Sequence, residues 1–284
     1  MTVLPQNLRD ACAEEPNRQR WADRLPALVA IATERWGLEV DAPFEPGGTT
    51  AWVAPATTLG DACVLKIMYP HPEGAHEAEG LRVWDGDGAV RLLDAFTAGS
   101  VPVLLLERCV PGTALRTSPE REQDRVVTRL LRRLWAAPVD AATFPTLQQM
   151  CDQWAGRFET QEPPPIDAGL VRAGLALFRE LPSTATTSAL LCTDLHAGNV
   201  LASRREPWLV IDPKPHVGDP TYDPLQHMLN CPDRLHAEPA GLCARMADLL
   251  DLDRERLRLW LFGRCVVEAP VWPGLAELVP RLAP

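Results

Sequence analysis

Lysine is nearly absent from this chain. Of its 28 basic residues, 26 are arginine, and the two lysines are Lys66 and Lys214. Alanine and proline are abundant, so the pattern reads as a GC-rich coding background in which arginine stands wherever either cation serves. The two lysines then mark places where a compact ammonium on a flexible stem is needed. Other absences narrow the function. The eight cysteines are scattered from Cys12 to Cys265 with no CxxC spacing, which argues against a zinc site. No apolar run is long enough to span a bilayer: the most apolar stretch, Leu25 to Thr33, holds a proline and lies between Arg24 and Glu34. Met1 to Arg20 lacks the apolar core of a signal peptide. Acids outnumber bases, and the formal charge of −10 is the wrong sign for a nucleic-acid backbone or an anionic membrane. It is compatible with a cationic ligand. We therefore expect a cytoplasmic monomer with free, mostly buried thiols and neither nucleic acid nor membrane as partner.

The 284 residues, 46% apolar and 23% charged, suffice for one large domain or two modest ones. Only the first fifteen residues read as a candidate for disorder. Arg18 to Trp36 has helical periodicity. Thr50 to Ala56 and Ala62 to Met68 read as strands around a turn at Leu59-Gly60-Asp61. Glu73 to Trp84 reads as a helix, and Asp85-Gly86-Asp87-Gly88 as a turn rather than a calcium loop, since the rest of an EF-hand loop is missing. Ala89 to Phe96 and Val101 to Glu107 are a further strand pair. After Pro111-Gly112 the pattern becomes helical over Pro119 to Ala136, Thr146 to Phe158 and Ile166 to Leu181. A β segment follows over Leu190 to Asp212, and helices resume from Tyr222. We expect an α+β chain with a small β-rich part, residues 1–108, and a larger, mostly helical part, residues 109–284. A cleft between two such lobes is a common ligand site.

The chemistry concentrates in two segments. The first is Cys192-Thr193-Asp194-Leu195-His196-Ala197-Gly198-Asn199. Thirteen residues beyond Asn199 comes Asp212, in Ile211-Asp212-Pro213-Lys214. Between them, Ser203 to Pro207 is a turn flanked by short apolar runs, a hairpin pattern that brings Asp212 back beside Asn199. Oxygen ligands alone suit magnesium, which takes its remaining ligands from water and nucleotide phosphates. This is the layout of a kinase catalytic loop followed by a metal-binding aspartate. Asp194 would orient the attacking hydroxyl, and Asn199 and Asp212 would hold Mg2+. The second segment is the apolar strand Cys63 to Met68, carrying Lys66. Glu77 lies eleven residues on, in a helix. A strand lysine paired with a helix glutamate contacts nucleotide phosphates in kinases; Glu79 is the rival partner. Gly47-Gly48-Thr49 serves equally as a plain turn or as a phosphate loop. Glu107 and Cys109 end the last strand of the first part, where backbone groups would meet the adenine edge.

These motifs resemble the aminoglycoside phosphotransferase superfamily. The loop Cys-Thr-Asp194-Leu-His196-Ala-Gly-Asn199 is similar to its H-[GT]-D-L-H-x-x-N pattern. Asp212-Pro-Lys214 through Gly218-Asp219-Pro-Thr-Tyr-Asp223, together with Arg264 to Trp272, resembles its streptomycin 6-phosphotransferase and hydroxyurea phosphotransferase branch. The resemblance runs from about Phe44 to the end. It implies a bilobal protein-kinase-like fold, ATP as donor (GTP as alternative) and phosphorylation of an antibiotic hydroxyl. One position departs from the pattern: Cys192 stands where histidine is usual, and a cysteine can pack there but bonds weakly.

The expected reaction is in-line transfer of the γ-phosphoryl group to a small molecule. Only about ten residues separate Asp212 from the next helix, too few for a protein kinase's peptide-binding segment. Lys214 either reaches the γ-phosphate or pairs with an acid such as Asp219. Asp223 and Glu268 would meet cationic groups of the substrate, with Trp272 as an aromatic wall. Streptomycin or a cationic cyclic peptide such as capreomycin fits the acidity, and hydroxyurea fits the resemblance. A metabolic small-molecule kinase and a nucleotide-binding pseudokinase are the rivals.

Overall fold

The computed structural model describes residues 2–162 and 164–284. The chain divides into two compact units. One runs through Gly112 and includes Ala202–Leu209; the other comprises Thr113–Leu201 and Val210–Pro284. The division falls four residues later than the sequence pattern suggested, and a return excursion joins the first unit. The reason is Arg205. Its guanidinium bonds both carboxylate oxygens of Glu107, at 2.8 and 2.9 Å, and the carbonyls of Gly86 and Ala89, at 2.7 and 3.0 Å.

In the first unit, helices α1 (Gln6–Glu14), α2 (Pro16–Ala22) and α3 (Leu25–Trp36) precede β1 (Leu38–Val40), β2 (Ala51–Thr58) and β3 (Asp61–Met68). Then come α4 (Glu77–Trp84), β4 (Leu92–Ala98) and β5 (Val101–Glu107). The strands form an antiparallel sheet in the order β1-β2-β3-β5-β4. Side chains alternate across a strand. Cys63, Leu65 and Ile67 of β3 therefore enter a core with Leu8, Trp21, Leu25 and Leu28 of the three helices, and Lys66 falls on the other face.

The expectation of disorder at the start is overturned: α1 buries Leu8 completely and Cys12 almost so. Its polar composition hid an apolar stripe. The expected single helix over Arg18 to Trp36 is two, because Pro26 in the first turn of α3 starts a new helix. Glu73 lies in a 3-10 turn, Pro72–Gly74, ahead of α4. Asp85, at φ 44°, ends α4 in the left-handed region, and the turn continues through Gly86 at φ 81°.

β6 (Pro111–Ala114) straddles the division, and the second unit goes on with α5 (Glu120–Trp135), α6 (Leu147–Glu159) and α7 (Ala168–Glu180). Short strands follow: β7 (Ala189–Leu191), then β8 (Val200–Ser203) and β9 (Leu209–Val210) at the two ends of the returning Ala202–Leu209 segment, and β10 (His216–Gly218). The chain closes with α8 (Leu225–Leu229), α9 (Pro232–Ala237), α10 (Pro239–Leu250), α11 (Arg254–Glu268) and α12 (Val279–Leu282). Helix α11 is polar at its start and buried along the rest of its length: Leu257, Trp260, Leu261, Phe262, Cys265 and Val266 have no exposed surface. It meets α7 closely at Gly174, where a Cβ would lie 2.5 Å from a Val266 methyl. β10 pairs antiparallel with β7, His216 opposite Leu191. On its other side the Val217 amide bonds the Pro145 carbonyl at 2.9 Å, and Leu147 at the start of α6 presses on Gly218.

The helices of this unit are tied by a buried acid. Asp124 on α5 is fully buried. It accepts bonds from both Arg234 terminal nitrogens, at 3.1 and 2.9 Å, and from Arg245 Nε at 2.5 Å, and its Oδ1 lies 3.0 Å from His227 Nε2. Burial opposes its charge, but His227, Arg234 and Arg245 together hold the carboxyl far below its ordinary value. Its contribution to stability is complete above the ordinary carboxylate range and disappears as pH falls through the depressed folded value. Asp124→Ala strands two arginines without their acceptor. The expected loss is about 3–5 kcal/mol at neutral pH, read as a lower urea midpoint with an unchanged slope.

Candidate active site

The first unit holds a buried ion pair. Lys66 Nζ lies 2.7 and 2.6 Å from the two carboxylate oxygens of Glu77, and the residues are 4% and 1% exposed. Taking two charges out of water is costly unless they meet in this geometry, so the pair rigidly sets the β3–α4 distance. Glu79 is excluded as the partner, since it turns outward to Arg82. Gly47 sits at φ 73°, where a Cβ would strike Pro5 at 2.6 Å, and its carbonyl accepts from the Asn7 side chain at 2.8 Å. The need for glycine there comes from packing on the start of the chain. Gly48 and Thr49 are exposed. Glu107 spends its carboxylate on Arg205 and the Arg91 amide. Burial works against its charge, and these donors hold it below its ordinary value. The half-buried Cys109 thiol is pushed up to about 11 by burial.

The second unit holds the loop. Thr193 and Asp212 have φ of 51° and 54°, a strained region for residues with side chains. The strain is held by a net of bonds. The Cys192 carbonyl accepts the amides of Asp194 at 2.8 Å and Lys214 at 2.9 Å. Asn199 Nδ2 donates to the Asp194 carbonyl at 3.1 Å, which turns its amide oxygen away from that bond, and the Asn199 carbonyl accepts from the Ile211 amide at 2.9 Å. This last bond closes the β8–β9 hairpin and brings Asp212 back beside Asn199. Asp194 and Asp212 both act electrostatically on His196 and on the Cys192 thiol. His196 accepts from the Gly198 amide through Nδ1 at 3.1 Å, and burial lowers its pKa. Lys214 Nζ lies 2.9 Å from Asp194 Oδ2. Its partner is thus not Asp219, which takes Arg256, Trp260 and the Thr221 amide.

One expectation changes on this geometry, that of Asp223. Asp223 is fully buried and has no surface to offer a substrate. Its carboxylate accepts from the Trp135 indole at 2.8 Å and from the Cys192 and Thr193 amides at 3.0 and 2.7 Å; it braces the loop from behind. Glu268 reaches the surface, but one oxygen lies 3.0 Å from Arg264, a buried cation stacked 4.3 Å above the Trp154 ring. Cys192 is fully buried, and burial raises its thiol well above the ordinary value, so it packs behind the loop as an inert thiol. Trp272 is 44% exposed, four residues beyond Glu268. Among the described residues no three His, Cys, Asp or Glu side chains converge as a metal cage, so Asn199 and Asp212 would hold an ion whose other ligands come from water and nucleotide.

The family described as aminoglycoside/hydroxyurea antibiotic resistance kinase matches residues 35–274. The chain belongs to this family. It is 38% identical over 270 residues to a hydroxyurea phosphotransferase of Kitasatospora aureofaciens, covering 89% of this chain and 74% of that one. It is 34% identical over 277 residues to a streptomycin 6-kinase of Streptomyces glaucescens, covering 92% and 88%. A crystal structure of aminoglycoside phosphotransferase APH(4)-Ia with ADP and hygromycin B has a TM-score of 0.61 at 15% identity, over 89% of this chain and 98% of that one. That likeness carries the protein-kinase-like fold. This antibiotic-resistance kinase is α+β, with its strand-rich part first and its helical part second.

Three residues of consequence were not readable beforehand: Asp124, Trp135 and Arg205. Their partners lie far along the chain. Local spacing carried no trace of them.

Burial pushes the Asp223 carboxyl up to about 6, against the three donors that favour its charge. The folded state then holds a proton that the unfolded chain releases. The resulting stabilisation is complete below the ordinary carboxylate range and is lost as pH rises through about 6. Asp223→Asn turns an NH2 toward N–H donors, and the unmet bond is expected to lower turnover about tenfold. Urea unfolding between about pH 4 and about pH 7 should lose the part of its pH slope that this carboxyl supplies in the wild type.

Proposed function

We propose that the chain transfers the γ-phosphoryl group of ATP to a hydroxyl of a small antibiotic, in the presence of Mg2+. The observation that carries this reading is the Asp194 environment: a backbone held by the Asn199 and Cys192 bonds, and a carboxylate with the Lys214 ammonium 2.9 Å away. In the proposed reaction Asp194 aligns the acceptor hydroxyl and receives its proton as the O–P bond forms and the bond to the leaving ADP breaks. Lys66, held by Glu77, meets the α- and β-phosphates. Lys214 offsets charge on the moving phosphoryl group, while in the free protein it keeps Asp194 paired. Magnesium, when bound by Asn199 and Asp212, neutralises phosphate charge. The backbone groups of Glu107 and Cys109 would receive the adenine edge, and Gly48 and Thr49 would lie along the phosphates.

Streptomycin-class aminoglycosides are the first candidates for acceptor, followed by capreomycin-like cationic peptides, with Glu268 and Trp272 as the contacts. A second reading, hydroxyurea as acceptor, is favoured by the Glu268–Arg264 pair: a carboxylate already matched by a buried cation has less attraction for another.

Purified protein with Mg-ATP should add one phosphoryl group to one member of a panel of streptomycin, capreomycin, viomycin and hydroxyurea, read by mass spectrometry. Asp194→Ala should reduce that rate by about a thousandfold or more. If ATP binds and no compound is modified, the antibiotic reading is lost. If Asp194→Ala retains full activity, the assignment of the loop is lost.

A further inference from the structure

We infer that His216 is a positioning residue that fixes Lys214, and through it the Asp194 carboxylate. The Lys214 backbone is held on both sides. Its amide donates to the Cys192 carbonyl at 2.9 Å. Its carbonyl accepts from the Thr193 hydroxyl at 2.5 Å, and His216 Nδ1 lies 2.9 Å from the same oxygen. A carbonyl has two lone pairs, one for each donor, which assigns the His216 proton to Nδ1. The 3.4 Å separation of Nδ1 from the Thr193 hydroxyl then follows from two donors sharing one acceptor.

The ring itself cannot drift. His216 is 6% exposed. Its strand is paired with β7 on one side and pinned on the other by the Val217–Pro145 bond and by Leu147 against Gly218. Thr193 is the strained residue immediately before Asp194, so His216 steadies the same carbonyl that Thr193 uses to hold its conformation. Cys192 has no ring to offer the loop, and its thiol is a weak bonding group. His216 supplies an aromatic donor from the neighbouring strand instead. The effect on turnover rests on the catalytic reading of Asp194 and Lys214 given above, whereas the effect on geometry does not.

The two-lysine composition makes the test clean. Amine acetylation with N-hydroxysuccinimidyl acetate, followed by mass spectrometry, reports Lys214 and Lys66 separately in the ligand-free protein. Asp194→Asn removes the carboxylate charge and should raise the Lys214 rate. His216→Leu removes the ring donor and should raise it about threefold or more, the scale of a coupled contact. His216→Asn, whose amide nitrogen can take the place of Nδ1, should stay near the wild-type rate. Lys66, buried against Glu77, is the internal control and should not change. The inference is overturned if His216→Leu leaves the Lys214 rate at its wild-type value while Asp194→Asn raises it. It is also overturned if His216→Leu raises both lysines together, the mark of general loosening. If Asp194→Asn leaves Lys214 unchanged, the Lys214–Asp194 pair itself is lost, and the catalytic reading loses its support with it.

Discussion

The second unit is organised around a carboxylate that never meets solvent. Asp223 collects the amides of Cys192 and Thr193 and the indole of Trp135. Two consecutive amides aimed at one acid force the chain to turn there, and Thr193 accepts a left-handed conformation as a result. The turn delivers Asp194 outward, to 14% side-chain exposure, while everything behind it is closed. Asp194, Lys214 and the carbonyl under Asn199 are positioned relative to that fixed point. A short polar loop that would otherwise sample many conformations is thereby kept in one.

The first unit uses a different device for the same end. Its sheet is backed by three helices whose apolar residues share its core, and Lys66 meets Glu77 with both residues almost fully buried. One half holds its key side chain by a pair of opposite charges. The other holds its key backbone by hydrogen bonds to a single acid. Both rely on burial to make electrostatic interactions strong.

Much of the fold was legible in the sequence because its signals are local. Val101 to Glu107 reads as a strand and is one, and Lys66 and Glu77, eleven residues apart, do meet. Asn199 and Asp212 are joined by a hairpin whose turn residues announce it. What stays hidden has a common cause. Asp223 reads as an acid open to a cationic substrate; its burial depends on Trp135, 88 residues earlier. The Glu107 carboxylate belongs to Arg205, 98 residues later. Helix α1 does not stand out because only three of its nine residues are buried. Long-range partners decide these positions, and no pattern of neighbours encodes them.

The scarcity of lysine has a consequence for acid–base behaviour. Arginine stays protonated in any buffer a protein tolerates, and burial pushes all eight thiols upward. With 26 arginines among its 28 basic residues, the chain therefore keeps nearly all of its positive charge as the solution turns alkaline, and the ion pairs of its arginines persist there.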